Sequence, residues 1–380
     1  MSEPVDALPT KDLFVHVITR DISLEDAILD LLDNCVDGAR RKVGEFDLFS
    51  DENEFSGYNA KLTLRPDRFD LLDNCGGIPK DDAKDYAFRF GRSSSAPELT
   101  SRGIGLYGIG MKRALFKLGQ HLFIHSSTET DAFSLAIDVD DWRKSTEWKF
   151  NLDPEEPTSP GTQITAESLY ESVSAELELD SFQREIAGMI SRDYSLFLQN
   201  GFDIYVNGEQ VEPRIISFLE GGGFSPLFTS YKDESGVEVQ IWAGMVEQPL
   251  EDLTEPDPTT AARLNRQGIG WTVSCNERVV LAADRSERTV WGNGEFPRFH
   301  DQYRGFGGLL NFRSEDPTLL PWTTTKRDID QDAALYRRAV AEMKKVTRKW
   351  IDYTNRRKSH MEEHKAAEAQ ASPVPLKSIS

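Results

Sequence analysis

The chain has 380 residues, 38% of them apolar and 28% charged, with a formal net charge of −20. No apolar run nears the roughly 20 residues that a membrane span needs, and the charge sets whole-molecule electrostatics against nucleic acid and anionic lipid. Cys35, Cys75 and Cys275 are too few and too scattered for a disulfide framework or a zinc site. The length suits about two domains. The acidic start "MSEPVDALPTKD" lacks the basic-then-apolar layout of a signal peptide, so the expected setting is a reducing cytoplasm.

Taken in chain order, the first clear element is a helix over about 24–42. Plotted at about 100° per residue, Asp26, Asp30, Asp33, Asn34 and Asp37 fall on one narrow stripe. Leu24, Ala27, Ile28, Leu31, Leu32, Cys35, Val36 and Ala39 fill the other side. Like charges at helical spacing repel. The stripe is therefore either a solvated face on a core helix or a place for a cation or an activated water.

A polar linker leads to two strand-like runs, "AKLTLRP" and "RFDLLDN", the second ending in a Gly-rich turn. Residues 80–102 carry the Ser and Pro signals of a mobile loop. "GIGLYGIGMKRALFKLG" reads as a glycine loop feeding a helix, and "HLFIHSST", "AFSLAIDV" and "GTQITAESL" alternate like strands of one sheet. A helix over about 176–196 and a strand "GFDIYVNGEQVEP" complete an α+β domain over 1–215. A second strand-rich region follows, with "VEVQIWAGMV", "GWTVSCNERVVLA" and "GGLLNFR" as its clearer strands. A long amphipathic helix over 331–358 closes a second domain spanning 216–358. The small, polar, Pro-containing tail 359–380 reads as disordered. The basic run "KKVTRKWIDYTNRRK" reads first as a solvated face of the last helix.

Two further stretches carry chemistry. Gly103, Gly105, Gly108 and Gly110 precede an apolar helix, where backbone N–H groups and the positive helix end suit phosphate oxygens. Lys112 and Arg113 sit in that helix's first turn, against the dipole preference, and an anion between them resolves the conflict. A tight structural turn explains the glycines equally well. In "LLDNCGGIP", Asp73 ends a strand where backbone can approach closely, so its carboxylate can accept from an exocyclic amine. A simple turn is the plainer reading.

In this order and at these intervals the stretches resemble the GHKL ATPases: gyrase B, the ninety-kilodalton heat-shock chaperones, histidine kinases and MutL. Glu-x-x-x-Asn aligns with Asp30 and Asn34. Asp-x-Gly-x-Gly aligns with Asp73 to Gly77, the glycine-rich motif with Gly105 to Gly110, and the late Gly-Thr with Gly161 and Thr162. The resemblance implies a Bergerat fold, an α/β sandwich, that binds ATP and Mg²⁺, with 80–102 as a lid. It implies that Asn34 ligates the metal, that Asp30 polarises the attacking water, and that Asp73 reads adenine with support from Thr162. Asp37, Gly77 and Ile78 join that site. Gly103, Gly105, Leu106, Tyr107, Gly108, Ile109, Gly110, Met111 and Lys112 hold the phosphates. The second region resembles the transducer domain of gyrase B, MutL and the microrchidia ATPases, with Lys326 in "LPWTTTKRDID" reaching the γ-phosphate; a solvated Thr-rich turn is the alternative.

Two departures stand out. Asp30 shortens the expected Glu by one methylene, roughly 1.5 Å, and a misplacement near 1 Å can cost on the order of a hundredfold in rate. Cys75 stands where the family has glycine, which requires φ < 0 there or a conformation that a small side chain tolerates. The resemblance implies an ATP-driven conformational switch, homodimeric when ATP is bound, with a protein partner and a place in a DNA-repair or anti-phage system. A non-hydrolysing ATP sensor is the alternative, made plausible by Asp30. A histidine kinase is disfavoured, because the short segment before the first motif leaves no room for a phospho-accepting hairpin. DNA as a partner is left open but runs against the net charge.

Overall fold

The computed structural model describes residues 10–44, 53–89, 103–104, 109–246 and 268–379. After a first helix α1 (Lys11–Arg20), α2 (Leu24–Val43) begins at Ser23, whose hydroxyl accepts from Asp26 N at 3.1 Å. Glu25 and Asp26 in the first turn and Arg40 to Lys42 in the last match the helix dipole, and Gly44 ends the helix at φ +81°.

Eight strands form the first sheet: β1 (Asn59–Arg65), β2 (Arg68–Asp73), β3 (Gly119–Ser127), β4 (Ala132–Asp138), β5 (Asp153–Glu155), β6 (Gly161–Leu169), β7 (Asp203–Val206) and β8 (Glu209–Gln210). Their order is β5-β4-β3-β6-β2-β1-β7-β8, antiparallel except for the β1–β7 pair. Period-two alternation puts Leu62, Leu64, Phe69, Leu71, Leu122, Ile124, Ile164 and Ala166 on one buried face. Against it pack α2 and α4 (Gly110–Leu118). The helix expected over 176–196 is instead three: α6 (Glu171–Leu177), α7 (Asp180–Asp193) and α8 (Ser195–Gln199). Two shorter helices, α3 (Lys80–Asp82) and α5 (Val139–Lys144), precede them. "GFDIYVNGEQVEP" is a hairpin turning on Asn207 and Gly208, both at positive φ.

A second mixed sheet contains β9 (Ser217–Glu220), β10 (Leu227–Lys232), β11 (Glu238–Met245), β12 (Gly270–Cys275), β13 (Arg278–Asp284), β14 (Phe306–Arg313) and β15 (Ser372–Pro375). "GWTVSCNERVVLA", expected as one strand, is the β12–β13 hairpin. It turns on Asn276 (φ +45°) and Glu277 (φ +64°), a two-residue turn made without glycine. The central strands are buried on both faces. The long helix α9 (Ala334–Ser359) lays Met343, Val346, Trp350 and Tyr353 on one of them. Lys345, Arg348, Lys349, Arg356 and Lys358 of the basic run are exposed, as the sequence suggests.

The tail departs from expectation. Residues 361–368 form helix α10 (Met361–Glu368), and β15 pairs antiparallel with β9. Composition missed this because one charged group does the anchoring. Glu368, 2% exposed, accepts from Arg357 at 2.7 and 2.9 Å and from the Tyr353 hydroxyl at 2.7 Å. Pro373 and Pro375 are tolerated because β15 is an edge strand.

Candidate nucleotide site

The cleft lies between α2, the β2 turn and the start of α4. It is lined by Asn34, Gly38, Arg41, Asp73, Cys75, Gly77, Ile78, Met111 and Thr162 among others, and encloses about 510 Å³ including its mouth. At its floor Asp73 Oδ1 accepts from Cys75 N at 2.7 Å and Thr162 N at 3.3 Å. Burial raises the pKa of this carboxyl. Cys75 sits at φ < 0, as its side chain requires. Gly77 at φ +72° has no substitute: a Cβ there would lie 2.0 Å from Ser127 O. Gly38 lets α2 touch the turn, since its Cβ would stand 2.8 Å from Cys75 O. Ile78 N donates to Ser126 Oγ at 2.7 Å, and that hydroxyl lies 3.5 Å from Thr162 Oγ1.

Asn34 is exposed on the cleft side of α2. Its Nδ2 donates to Asp30 O at 2.8 Å, so Oδ1 is the end left to accept or ligate. At the far end, α4 follows Ile109, whose own side chain offers no cap to the first N–H groups. Gly110 brings that end close to α2; a Cβ would sit 3.2 Å from Asp30 Oδ2. Amide acceptor, buried carboxylate and helix start suit a metal, an amine-bearing base and phosphates respectively, so the residues fit a nucleotide with its cation. Gly105, Leu106, Tyr107 and Gly108 lie outside the described residues, as does 90–102 of the expected lid. Its root, Lys80 to Arg89, is described as α3 running into a π-turn (Ala83–Ala87).

The acidic stripe is neither solvated nor open to a cation. Asp30, Asp33 and Asp37 are 5%, 2% and 8% exposed, and each is met by a donor from elsewhere in the chain. Arg113 Nε and Nη2 bind Asp30 Oδ2 at 2.8 and 2.6 Å. Lys326 Nζ donates to Asp33 Oδ2 at 2.7 Å and to Asp30 Oδ1 at 3.3 Å. Arg278 Nε donates to Asp33 Oδ1 at 3.0 Å, and Tyr194 donates to the same oxygen at 2.7 Å. Asp37 Oδ1 accepts from Ile104 N at 2.8 Å, and Asp26 is ion-paired with Arg327. The stripe is therefore the seam on which the second domain docks. Burial alone would raise the Asp33 pKa, but Lys326 and Arg278 hold it at about 2.

Lys326 sits at φ +56° in the loop pinched off by the Trp322–Ile329 bridge. This sparsely populated conformation buries its ammonium, which excludes the solvated-turn reading. Burial works against that charge, but Asp33 and Asp30 raise its pKa. Lys112 does not share an anion with Arg113. Its ammonium donates to Ala87 O at 2.7 Å, at the lid root, and burial lowers its pKa to about 8.

Sequence reasoning missed Arg278, 1% exposed, which also binds Asp193 at 3.1 Å and lies 4.4 Å over the Tyr194 ring. It missed Arg40, paired with buried Glu277, and Asn276 beside it. The one available signal was the row of acids along α2 with no base among them before its last turn.

A helix-covered mixed sheet with an asparagine, a floor aspartate and a glycine-shaped turn around one cleft defines a nucleotide-binding domain. Residues 22–170 match the family of histidine kinase-, DNA gyrase B-, and HSP90-like ATPases. Over those residues the chain is similar to the GHKL superfamily, whose domains of this kind bind ATP. No curated protein matches the chain.

Proposed function

We propose that the protein is a Mg²⁺-dependent ATPase whose nucleotide state sets the contact between its two domains, and that ATP-bound chains dimerise. The observation that carries this reading is the convergence of Asp73, Asn34 and the α4 start on one cleft. When bound, ATP supplies the phosphoanhydride to be split and Mg²⁺ neutralises its charge. Asp73 accepts from the adenine amine and Thr162 keeps that carboxylate in place. Asn34 Oδ1 would hold the metal, and Gly110, Met111 and Lys112 would present N–H groups to the phosphates. Asp30 would accept the proton of the attacking water, and Lys326 would turn toward the γ-phosphate.

Both oxygens of Asp30 are held, by Arg113 and Lys326. That supports slow turnover, gated by the departure of Lys326, and it favours a non-hydrolysing sensor as the second reading. Titration calorimetry and phosphate release separate the two. Wild type binds ATP with Mg²⁺ and releases phosphate; Asp73→Asn binds roughly 10- to 100-fold more weakly, the worth of a hydrogen bond to a charged group; Asp30→Asn binds but releases none. ATP uptake without phosphate release establishes the sensor, and absence of uptake overturns both.

A further inference from the structure

Residues 344–358 of α9 carry seven Lys and Arg and one acid, Asp352, a net +6 within a chain of −20. The inner side of the helix is fixed on the second sheet by Met343, Val346, Trp350 and Tyr353, so the charge is pushed outward. At about 100° per residue, Lys345, Lys349 and Arg356 fall within about 40° of one another on the outer side, with Arg348 beside them. All four are exposed. Two troughs flank this row and share Lys349 and Asp352. One reaches Glu295 and Lys344, the other Phe224, Asn355 and Arg356, and together they make one concave strip along the helix.

Part of the charge is already matched. Arg357 is buried on Glu368 at 2.7 Å. Lys344 and Arg348 reach Glu295 at 2.6 and 2.9 Å, and Lys345 reaches Glu342 at 2.7 Å. These last three pairs lie at or near the surface, where such contacts hold weakly. Lys349 and Arg356 have no ion pair or side-chain hydrogen bond among the described residues.

We propose that this strip is a docking surface for the phosphate backbone of a nucleic-acid duplex. None of the residues lining it is a large exposed apolar side chain, whereas a protein partner needs an apolar anchor at the centre of its contact. Phe224, the aromatic of the strip, is 8% exposed because it packs on Trp350 and Tyr353, with ring centres 5.1 and 5.5 Å away. It offers no face for base stacking, on which single-strand binding relies. A row of cations with no group to read a base suits phosphate contacts, which hold a duplex without regard to sequence. The rest of the molecule repels a polyanion, but at physiological salt that field decays over about 8 Å. Binding is therefore local, weak and strongly salt-dependent. The inference stands apart from the nucleotide cleft and holds whatever that cleft binds.

The full chain, without nucleotide, is titrated into a fluorescein-labelled duplex of about 20 base pairs in about 50 mM salt and followed by anisotropy as the salt is raised. Four engaged cations give a log-affinity against log-salt slope of about −4. Lys349→Glu combined with Arg356→Glu makes that slope shallower by about two and weakens binding at least about tenfold. Lys349→Gln with Arg356→Gln stands in if the charge reversal fails to fold. No uptake of the duplex in this buffer, or uptake that the double variant leaves unchanged, overturns the proposal. So does tighter binding of a single strand of the same length. Equal binding of polyglutamate of the same charge also overturns it, and marks the strip as a site for an acidic protein segment.

Discussion

Replacing Arg278 with Met tests whether the acidic stripe is the seam between the domains. The guanidinium is 1% exposed, 3.0 Å from Asp33 and 3.1 Å from Asp193. At 3 Å and an effective dielectric near 20, each attraction is about 5 kcal/mol before desolvation is subtracted. Removing one partner of such a buried network costs about 3–5 kcal/mol, because the carboxylates stay buried. Asp33 retains Lys326 and Tyr194, each at 2.7 Å, and Asp193 retains Arg192, so the low end, about 3 kcal/mol, is expected. With a urea slope of about 3 kcal/mol/M the midpoint falls by about 1 M. The assay is urea unfolding followed by tryptophan fluorescence, with Asp33→Asn and the double variant completing a cycle. A coupling of about 2 kcal/mol is expected; single effects that add within about 0.5 kcal/mol mean the two groups do not interact, and the seam is then wrongly drawn.

The same carboxylate sets an acid limit. With its folded pKa held at about 2 against about 3.9 when unfolded, Asp33 contributes about 2.6 kcal/mol that is present above pH 4 and lost as pH falls through 2. Acid unfolding of Asp33→Asn is correspondingly shallower over that window, and an identical profile refutes the assignment. At the other end of the chain, deleting residues 361–380 removes the carboxylate that Arg357 and Tyr353 reach and the β15 strand from the outer edge of β9. Calorimetric unfolding of the second domain then moves down by the equivalent of about 2–4 kcal/mol; a tail without anchoring value leaves the transition in place.

How far the sequence could be read depended on where each residue's partners lie. The α2 helix and the strand Gly161–Leu169 were legible because their signals are local: a Ser cap, terminal charges and period-two alternation. The β12–β13 hairpin was not, since both arms are apolar and the turn residues Asn276 and Glu277 are not the usual Asn-Gly pair. The tail was misread because its order comes from one glutamate folding back on α9, which composition cannot register. Asp26, Asp30, Asp33 and Asp37 were visible as a pattern. Most of their partners were not, because Arg278, Lys326 and Arg327 lie more than 240 residues away, in stretches that read as strand and loop.

Those partners also bear on how a chain of net charge −20 can take up a polyanion. An unshielded row of carboxylates one turn apart beside Asn34 would repel a triphosphate over the distance of a Debye length, about 8 Å. Arg113, Lys326, Arg278 and Arg327 neutralise that row before any nucleotide enters. On the proposed reading, the field at the phosphate end is set by the α4 start and by Lys326, which holds Asp30 and Asp33 and would turn to the phosphate when ATP binds. Only a group whose contacts differ between the two states can bias the equilibrium between them. On that reading the buried acids of α2 are the berth that Lys326 would leave for the ligand, while Arg113 keeps hold of the other oxygen of Asp30.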